Sequence, residues 1–334
     1  MNLKTPALVP SLAQLPQPPI GREGWPWTEP PAFPVDHSET AWPVISLVVP
    51  SFQQGRTLEG TLRSILLQGY PSLELWVIDG GSTDETVAVL KKYERWLSSW
   101  VSEPDRGQSH AINKGLARCT GSIFNWINSD DYLYQGVLLK VATRWIKTQP
   151  DWLVGRCRSI QEDTGECLHD WIPRPPSSID DFFQPNRVVL PQPSTFIRTD
   201  LMKQLAGVRE NLHYVMDWEL YLRVTLAASK KAVVVDDYLS AALVHPLAKT
   251  TAHPERSRPE AIEALRTLEL TLTDAPRRRL QKCREAMELQ DAVSRALSLR
   301  QGMLLVRLAF QFPAILTYRF YWGGLWRVIR GRSS

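Results

Sequence analysis

From Val44 onward the chain alternates between short apolar β-forming runs and amphipathic helical stretches, and this alternation constrains the fold more than any other feature. "VISLVVPSF" reads as a buried strand, and "TLEGTLRSILLQG" follows as a helix ending at Gly69. "LELWVIDGG" is the next strand. Ser82 and Glu85 then form a capping-box pattern that opens the helix "TDETVAVLKKYERWL". "SWVSEP", "SHAINKGLARC" and "SIFNWINSDD" supply a strand, a helix and a further strand. Such a series predicts an α/β fold with a mostly parallel central sheet flanked by helices. Right-handed crossovers set the loops after successive strands along one sheet edge, where open α/β sheets bind ligands.

The alternation breaks up after Gln149. "DWLVGRCRSI" and the segment 166–172 predict a hairpin turning near Thr164-Gly165, and a Pro-rich connection leads to a short strand, "STFIRTD". "DWELYLRVTLAA" predicts a helix, "KAVVVD" and "LSAALVH" two closing strands, and the pattern beyond Pro254 is helical. Three parts follow: a Pro-rich N-terminal arm over 1–43, an α/β domain over 44–250 and a helical C-terminal extension over 251–334. Proline disfavours helix and sheet interior, so the arm is expected to be extended and anchored where Trp25 and Trp27 find an apolar surface.

A net charge of +4 over 334 residues, without a Lys/Arg-rich tract, argues against a nucleic-acid partner. Cys119, Cys157, Cys167 and Cys283 form no CxxC pair, which points to reduced thiols rather than zinc and to a cytoplasmic chain. Cys157 and Cys167 could face each other across the hairpin, although nothing requires a bond. No secretory pattern and no apolar run of roughly 20 residues is present. From Ala292 to the end there is no acid, while Arg residues are interspersed with Phe320, Tyr321, Trp322 and Trp326. This tail has two readings: helix packing on the domain, or a peripheral segment on the anionic inner face of a membrane. Pro313, Arg307 and Arg319 interrupt any spanning run.

The carboxylates carry the chemistry. Asp79 ends the second strand, Asp105 follows the third, and Asp130 and Asp131 end the fourth, so the topology gathers four acids at one sheet edge. Each alone suits a solvated turn. Together they suit Mg²⁺ or Mn²⁺ held by one or two carboxylates and completed by the oxygens of a diphosphate. "IDGGSTDE" lacks the GxGxxG spacing of a dinucleotide fold, and there is no GxxxxGK[ST] loop.

Three segments in order, "ISLVVPSFQQGRTLEGTLRSILLQGYPSLELWVIDGGSTDET", "EPDRGQSHAINKGLARCTGSIFNWINSDD" and "QPSTFIRTDLMKQLAGVRENLHYVMDWELYLRV", resemble the family 2 glycosyltransferases of the GT-A fold. The resemblance spans roughly 44–250. It implies an inverting transfer from a nucleotide-sugar donor to the hydroxyl of a carbohydrate or lipid-linked acceptor, in polysaccharide or glycolipid assembly. Carried onto this chain, it implies that Pro50 and Ser51 line the nucleotide pocket and that Asp79 contacts the base. Asp105, Gly107, Asn113 and Lys114 would shape the nucleotide-sugar side, and Asp130 would face ribose or metal. Asp131 would be the main metal ligand, with the late His245 near the metal. The family's DxD reads Ser129-Asp130-Asp131 here, which leaves the split of roles between the two acids open.

Asp217 matches the family's catalytic base, and as the first residue of a predicted helix it would also serve as an N-cap. Glu219 is expected to be a solvated first-turn acid, Gln192 and Ser194 to border the acceptor, and Lys249 to be a solvated loop residue or to assist the diphosphate. Two other classes compete: a nucleotidyltransferase that makes a nucleotide sugar and releases pyrophosphate, and a non-catalytic carbohydrate-binding scaffold on the same fold.

Overall fold

The computed structural model describes residues 9–31, 41–184, 186–245 and 256–298. Lys249 and the aromatic part of the C-terminal tail lie outside these residues. The chain divides into two compact units, Met1–Pro254 and Glu255–Ser334.

The first unit is built on a nine-stranded sheet of order β3-β2-β1-β4-β8-β6-β9-β5, with β7 also paired to β6. Its parallel half comprises β1 (Ile45–Ser51), β2 (Leu73–Asp79), β3 (Ser99–Ser102) and β4 (Ile123–Trp126). Every residue of β1 is buried, as a central parallel strand covered on both faces requires. The helices α1 (Leu58–Leu66), α2 (Thr86–Tyr93) and α3 (Gln108–Leu116) cross between these strands. The register sets Ser51 opposite Asp79 and Asp79 opposite Ser102, so the strand ends are level.

The other half is mixed. β8 (Thr195–Arg198) runs antiparallel to both β4 and β6 (Trp152–Gln161), while β9 (Val233–Val244) runs parallel to β6. β5 (Asp131–Leu133) closes the order antiparallel to β9, and β7 (Cys167–Trp171) makes the hairpin with β6. α4 (Val137–Thr148), α5 (Thr199–Gln204) and α6 (Met216–Ala227) complete this unit.

Several local expectations change. "SIFNWINSDD" is not one strand: β4 stops at Trp126, and the Asp131 amide closes a turn on the Asn128 carbonyl at 3.0 Å. Asn-Ser-Asp is turn chemistry, and it carries the chain from the parallel half to the β5–β9 ribbon. The two closing strands are a single β9, whose register slips where Gly155 faces Val235 and Arg156 faces Tyr238. Asp236 and Asp237 therefore form a bulge rather than a gap. The capping box at Ser82 does not form, because that hydroxyl donates to Asp79; the Asp84 carboxylate accepts the Thr86 amide instead. Cys157 faces Trp171 and Cys167 faces Ile160, so the two thiols are not opposite, and all four cysteines are free.

The described part of the N-terminal arm packs onto α1. Its prolines cannot donate backbone hydrogen bonds, so its carbonyls need donors from elsewhere. Arg63, 1% exposed, supplies them: its guanidinium donates to the carbonyls of Pro16 (2.8 Å), Pro26 (3.0 Å) and Trp27 (2.8 Å). It also donates to the Tyr93 hydroxyl at 3.2 Å and lies 5.4 Å from the centre of the Trp27 ring. A planar fork with five N–H groups serves these four acceptors at once, one more than the three N–H groups of a lysine could.

The second unit contains α7 (Ser257–Glu269) and α8 (Asp274–Ser298), joined by Arg284–Glu269 at 2.7 Å and Arg266–Glu288 at 2.6 Å. No helix among the described residues is long and apolar enough to cross a membrane.

Candidate active site

A cavity of ≈ 590 Å³ opens at the carboxyl edge of the parallel strands. Pro50 and Ser51 at the end of β1 form one wall, with Gly80, Asp105 and Gly107 from the loops after β2 and β3. Asn128, Ser129, Asp130 and Asp131 come from the turn after β4, and His213, Tyr214 and Asp217 from the approach to α6. Gln192 and Trp126 line it as well.

The electrostatics of this cavity are one-sided. Among the described lining residues are four carboxylates, Asp105, Asp130, Asp131 and Asp217, and neither Lys nor Arg. Asp131 is 4% exposed, and burial, followed by the neighbouring charge of Asp130, pushes its carboxyl well above the usual range. Asn128 Nδ2 donates to its Oδ2 at 2.9 Å, and Gln108 Nε2 donates in turn to Asn128 Oδ1 at 2.7 Å. Asp130 is more open and meets Nε2 of buried His245 at 3.0 Å. That hydrogen bond raises the imidazole above its ordinary value.

Asp217 is the second residue of α6, not its cap, which is Val215. Its Oδ1 accepts the Trp218 amide at 2.8 Å, and burial pushes its carboxyl up. A carboxylate held in this way, without a basic partner, is a stronger proton acceptor than a solvated one.

Two glycines shape the acidic wall. A Cβ on Gly80 would stand 3.1 Å from the Asp105 carboxylate, which would have to give by a few tenths of an ångström. Gly107 has φ 105°, a conformation that favours glycine, and its amide donates to Asp105 Oδ1 at 2.7 Å.

Three buried polar atoms of lining residues have no hydrogen-bond partner: Ser51 Oγ, Trp126 Nε1 and Gln192 Oε1. The Nδ1 of His245 is also buried and unpartnered. Buried polar atoms of this kind call for partners that the chain does not supply, either water or a bound ligand.

Not every residue expected here reaches the cavity. Asp79 is fully buried behind it, and its carboxylate accepts from Ser102 Oγ (2.6 Å), Ser82 Oγ (2.5 Å) and the Ser82 amide (2.9 Å). It clamps the turn after β2. Asn113 is occupied with the segment before α6: Nδ2 donates to the Val208 carbonyl at 2.8 Å and Oδ1 accepts the Val208 amide at 3.0 Å. Lys114 pairs with Glu103 at 2.5 Å, outside the cavity. Ser194 is buried between the Arg156 carbonyl and Ser240 and does not line the cavity, whereas Gln192 does.

Glu219 is the clearest reversal. It is not a solvated acid but fully buried, gripped by Arg223 at 2.7 Å and by Arg209 at 2.8 Å. Arg223 also donates to the carbonyls of Leu205 and Gly207, so this cluster fastens the loop before α6. Gln108, Asn128, His213 and Tyr214 were not singled out in the sequence. Asn128 and the His213-Tyr214 pair stand inside the motifs containing Asp131 and Asp217, which was the available signal.

A parallel half-sheet with acids on the loops at its carboxyl edge, joined to a mixed half that carries a further carboxylate, is the architecture of GT-A-type enzymes. Residues 46–205, just under half of the chain, match the model of glycosyl transferase family 2. A relative described as an uncharacterized glycosyltransferase, MT1564 of Mycobacterium tuberculosis (strain CDC 1551), is 28% identical over 193 residues, covering 56% of this chain and 71% of the relative. Among solved structures, S. aureus TarS 1–349 in complex with UDP-GlcNAc superposes with a TM-score of 0.61 at 18% identity, over 78% of each chain. The mannosyltransferase PcManGT of Pyrobaculum calidifontis in complex with GDP-Man and Mn²⁺ gives 0.52 at 18% identity, over 87% of this chain and 85% of that one. At these identities the two structures show the shared fold. The family match and the glycosyltransferase names of these relatives support a sugar-transferring enzyme.

Proposed function

We propose that this enzyme transfers a sugar from a nucleotide sugar to an acceptor hydroxyl with inversion, Asp217 acting as the base. The observation that carries the reading is that Asp217 lines the same cavity as Asp130 and Asp131, from an element remote in sequence. Inversion needs a base on the acceptor's side and charge stabilisation on the leaving group's side, and a cavity with acids on separate elements provides for both. The Asp217 carboxylate takes the proton of the attacking hydroxyl. Asp105 and the unpartnered Ser51 and Trp126 groups receive the donor's polar atoms, with Gly107 lining the same wall.

A divalent cation, Mg²⁺ or Mn²⁺, fits these residues. Four acids without a lining Lys or Arg repel a diphosphate, and no Lys or Arg among the described lining residues offsets the paired Asp130 and Asp131. Among the described residues no three His, Cys, Asp or Glu side chains are arranged as a complete cage. One or two carboxylates with phosphate oxygens suffice for such ions. Asp130 and Asp131 would hold the cation, with His245 orienting Asp130, and when bound it would stabilise the departing diphosphate as a Lewis acid. PcManGT was solved with GDP-Man and Mn²⁺, and TarS with UDP-GlcNAc. By that likeness the donor here is a nucleoside-diphosphate sugar. The acceptor is a carbohydrate or a lipid-linked saccharide of polysaccharide or glycolipid assembly.

The test is turnover with a panel of nucleotide sugars and Mn²⁺, the anomeric configuration of the product being read by NMR. Release of nucleoside diphosphate with an inverted linkage is expected. Pyrophosphate release would instead make the protein a nucleotidyltransferase, and a retained configuration would remove Asp217 from the base role.

A further inference from the structure

A second cleft, ≈ 650 Å³, lies between the N-terminal arm and the β5–β9 ribbon. The ribbon divides it from the catalytic cavity by strand alternation. Asp131 pairs with Ala242 and both line the catalytic cavity, whereas the next pair, Tyr132 with Ala241, lines the second cleft. Leu243 lines both, so the two spaces adjoin at that residue.

The second cleft has a different chemistry. Its lining holds three basic side chains, Arg22, Lys140 and Arg158, against three acids, Glu29, Glu162 and Asp237. Most are already paired: Lys140 with Asp237, Arg158 with Asp170, and Arg56 with Glu162. Balanced charge of this kind recruits neither a diphosphate nor a metal ion. What remains is aromatic surface, with Trp25, Trp27, Tyr132, Tyr134 and Tyr238 on its walls.

These rings are held in place. Trp25 Nε1 donates to the Leu133 carbonyl at 2.8 Å, and Tyr134 meets Tyr238 edge to face at 6.3 Å. The Arg158 guanidinium lies 3.9 Å from the centre of the Tyr238 ring. Fixed rings flanked by carboxylates, amides and guanidinium edges match a pyranose, which has apolar C–H faces and a rim of hydroxyls. Little ordering entropy is left to lose when such a site binds.

We infer that this cleft is a saccharide-binding subsite, which holds part of a glycan away from the point of transfer. The choice of ligand class rests on the glycosyl-transfer reading. The cleft's charge balance and aromatic walls do not.

The experiment uses the full chain with chitohexaose, cellohexaose and mannohexaose as probes, followed by calorimetry and by hydrogen exchange. At least one probe should bind the wild type and protect the amides of 22–29, 132–135 and 236–243. Trp25→Ala, checked by thermal melting, should weaken that binding about tenfold, the order expected for losing one aromatic face. Tyr238→Phe and Asp217→Asn should leave it unchanged. Absence of binding by all three probes overturns the inference. So does protection confined to 105–131 and 213–217, which would place the sugar in the catalytic cavity and needs no variant to be read. A chain that binds here but transfers no sugar would overturn the transferase mechanism and leave the subsite standing.

Discussion

Asp217 and Glu219 stand two residues apart on α6, yet they belong to opposite regions of the molecule. Glu219 is fully buried beside two guanidinium groups that hold both of its oxygens. Asp217 faces the catalytic cavity, with one backbone amide on its carboxylate and no basic partner. Burial raises its carboxyl, whereas the Glu219 charge is matched where it lies. The difference teaches that burial alone does not mark a functional acid. A buried acid whose charge is answered by the fold serves the fold, and a half-buried one left unanswered at a cavity is available to a substrate.

The largest effect expected on this contrast is on catalysis. Asp217→Asn keeps shape and cannot take a proton, so turnover should fall about 10²–10⁴-fold with donor binding retained. A steady-state assay beside a donor titration checks both halves. Near wild-type turnover would make Asp217 as structural as its neighbour.

Stability should respond in the opposite sense. Glu219→Ala leaves Arg223 buried without its counter-charge, and breaking such a pair typically costs about 3–5 kcal/mol. Denaturant unfolding of the variant against wild type reads this directly. A loss below about 1 kcal/mol, the scale of an exposed pair, would erase the distinction.

Asp131→Asn extends the contrast to the paired acids. Removing one of two repelling charges should raise the melting temperature while abolishing the Mn²⁺-dependent part of nucleoside-diphosphate binding. Calorimetry with and without Mn²⁺ tests the second effect, and an unchanged Mn²⁺ response would separate Asp131 from any metal role.

The smallest effect concerns pH. The folded-state pKa of Asp217 is raised, so the native state binds this proton more tightly than the unfolded chain does. Its contribution to stability therefore falls as pH rises from the unfolded value, about 3.9, through the raised folded one. The base works deprotonated, so the acid limb of kcat/KM should lie above the ordinary aspartate range. Asp217→Asn should remove this share of the pH dependence of stability, and a melting series across acid pH would show whether it does.

Much of the first half was legible because its signals are local. The apolar runs of β1 and β2, the amphipathic α1 and the turn residues after each strand follow from neighbours a few positions apart. Other features were not legible. Nothing near Glu219 announces Arg209 as a partner, and the Leu205 and Gly207 carbonyls that hold Arg223 lie on another loop. Asp79 looks like any other strand-end acid until Ser102 arrives from β3 to share its oxygens. β5 is only three residues long and exists because β9 returns beside it.

By itself, then, the sequence determined the alternation of strand and helix, the sheet edge at which the acids gather and the motifs shared with family 2 glycosyltransferases. The tertiary structure decided which acids stay unanswered, which way the β5–β9 ribbon turns its residues, and that Arg63 holds the Pro-rich arm through its carbonyls. The reason is range: hydrophobic period and turn propensity act over a few residues, while the neutralisation of a buried charge depends on whichever distant group the fold brings within hydrogen-bond reach.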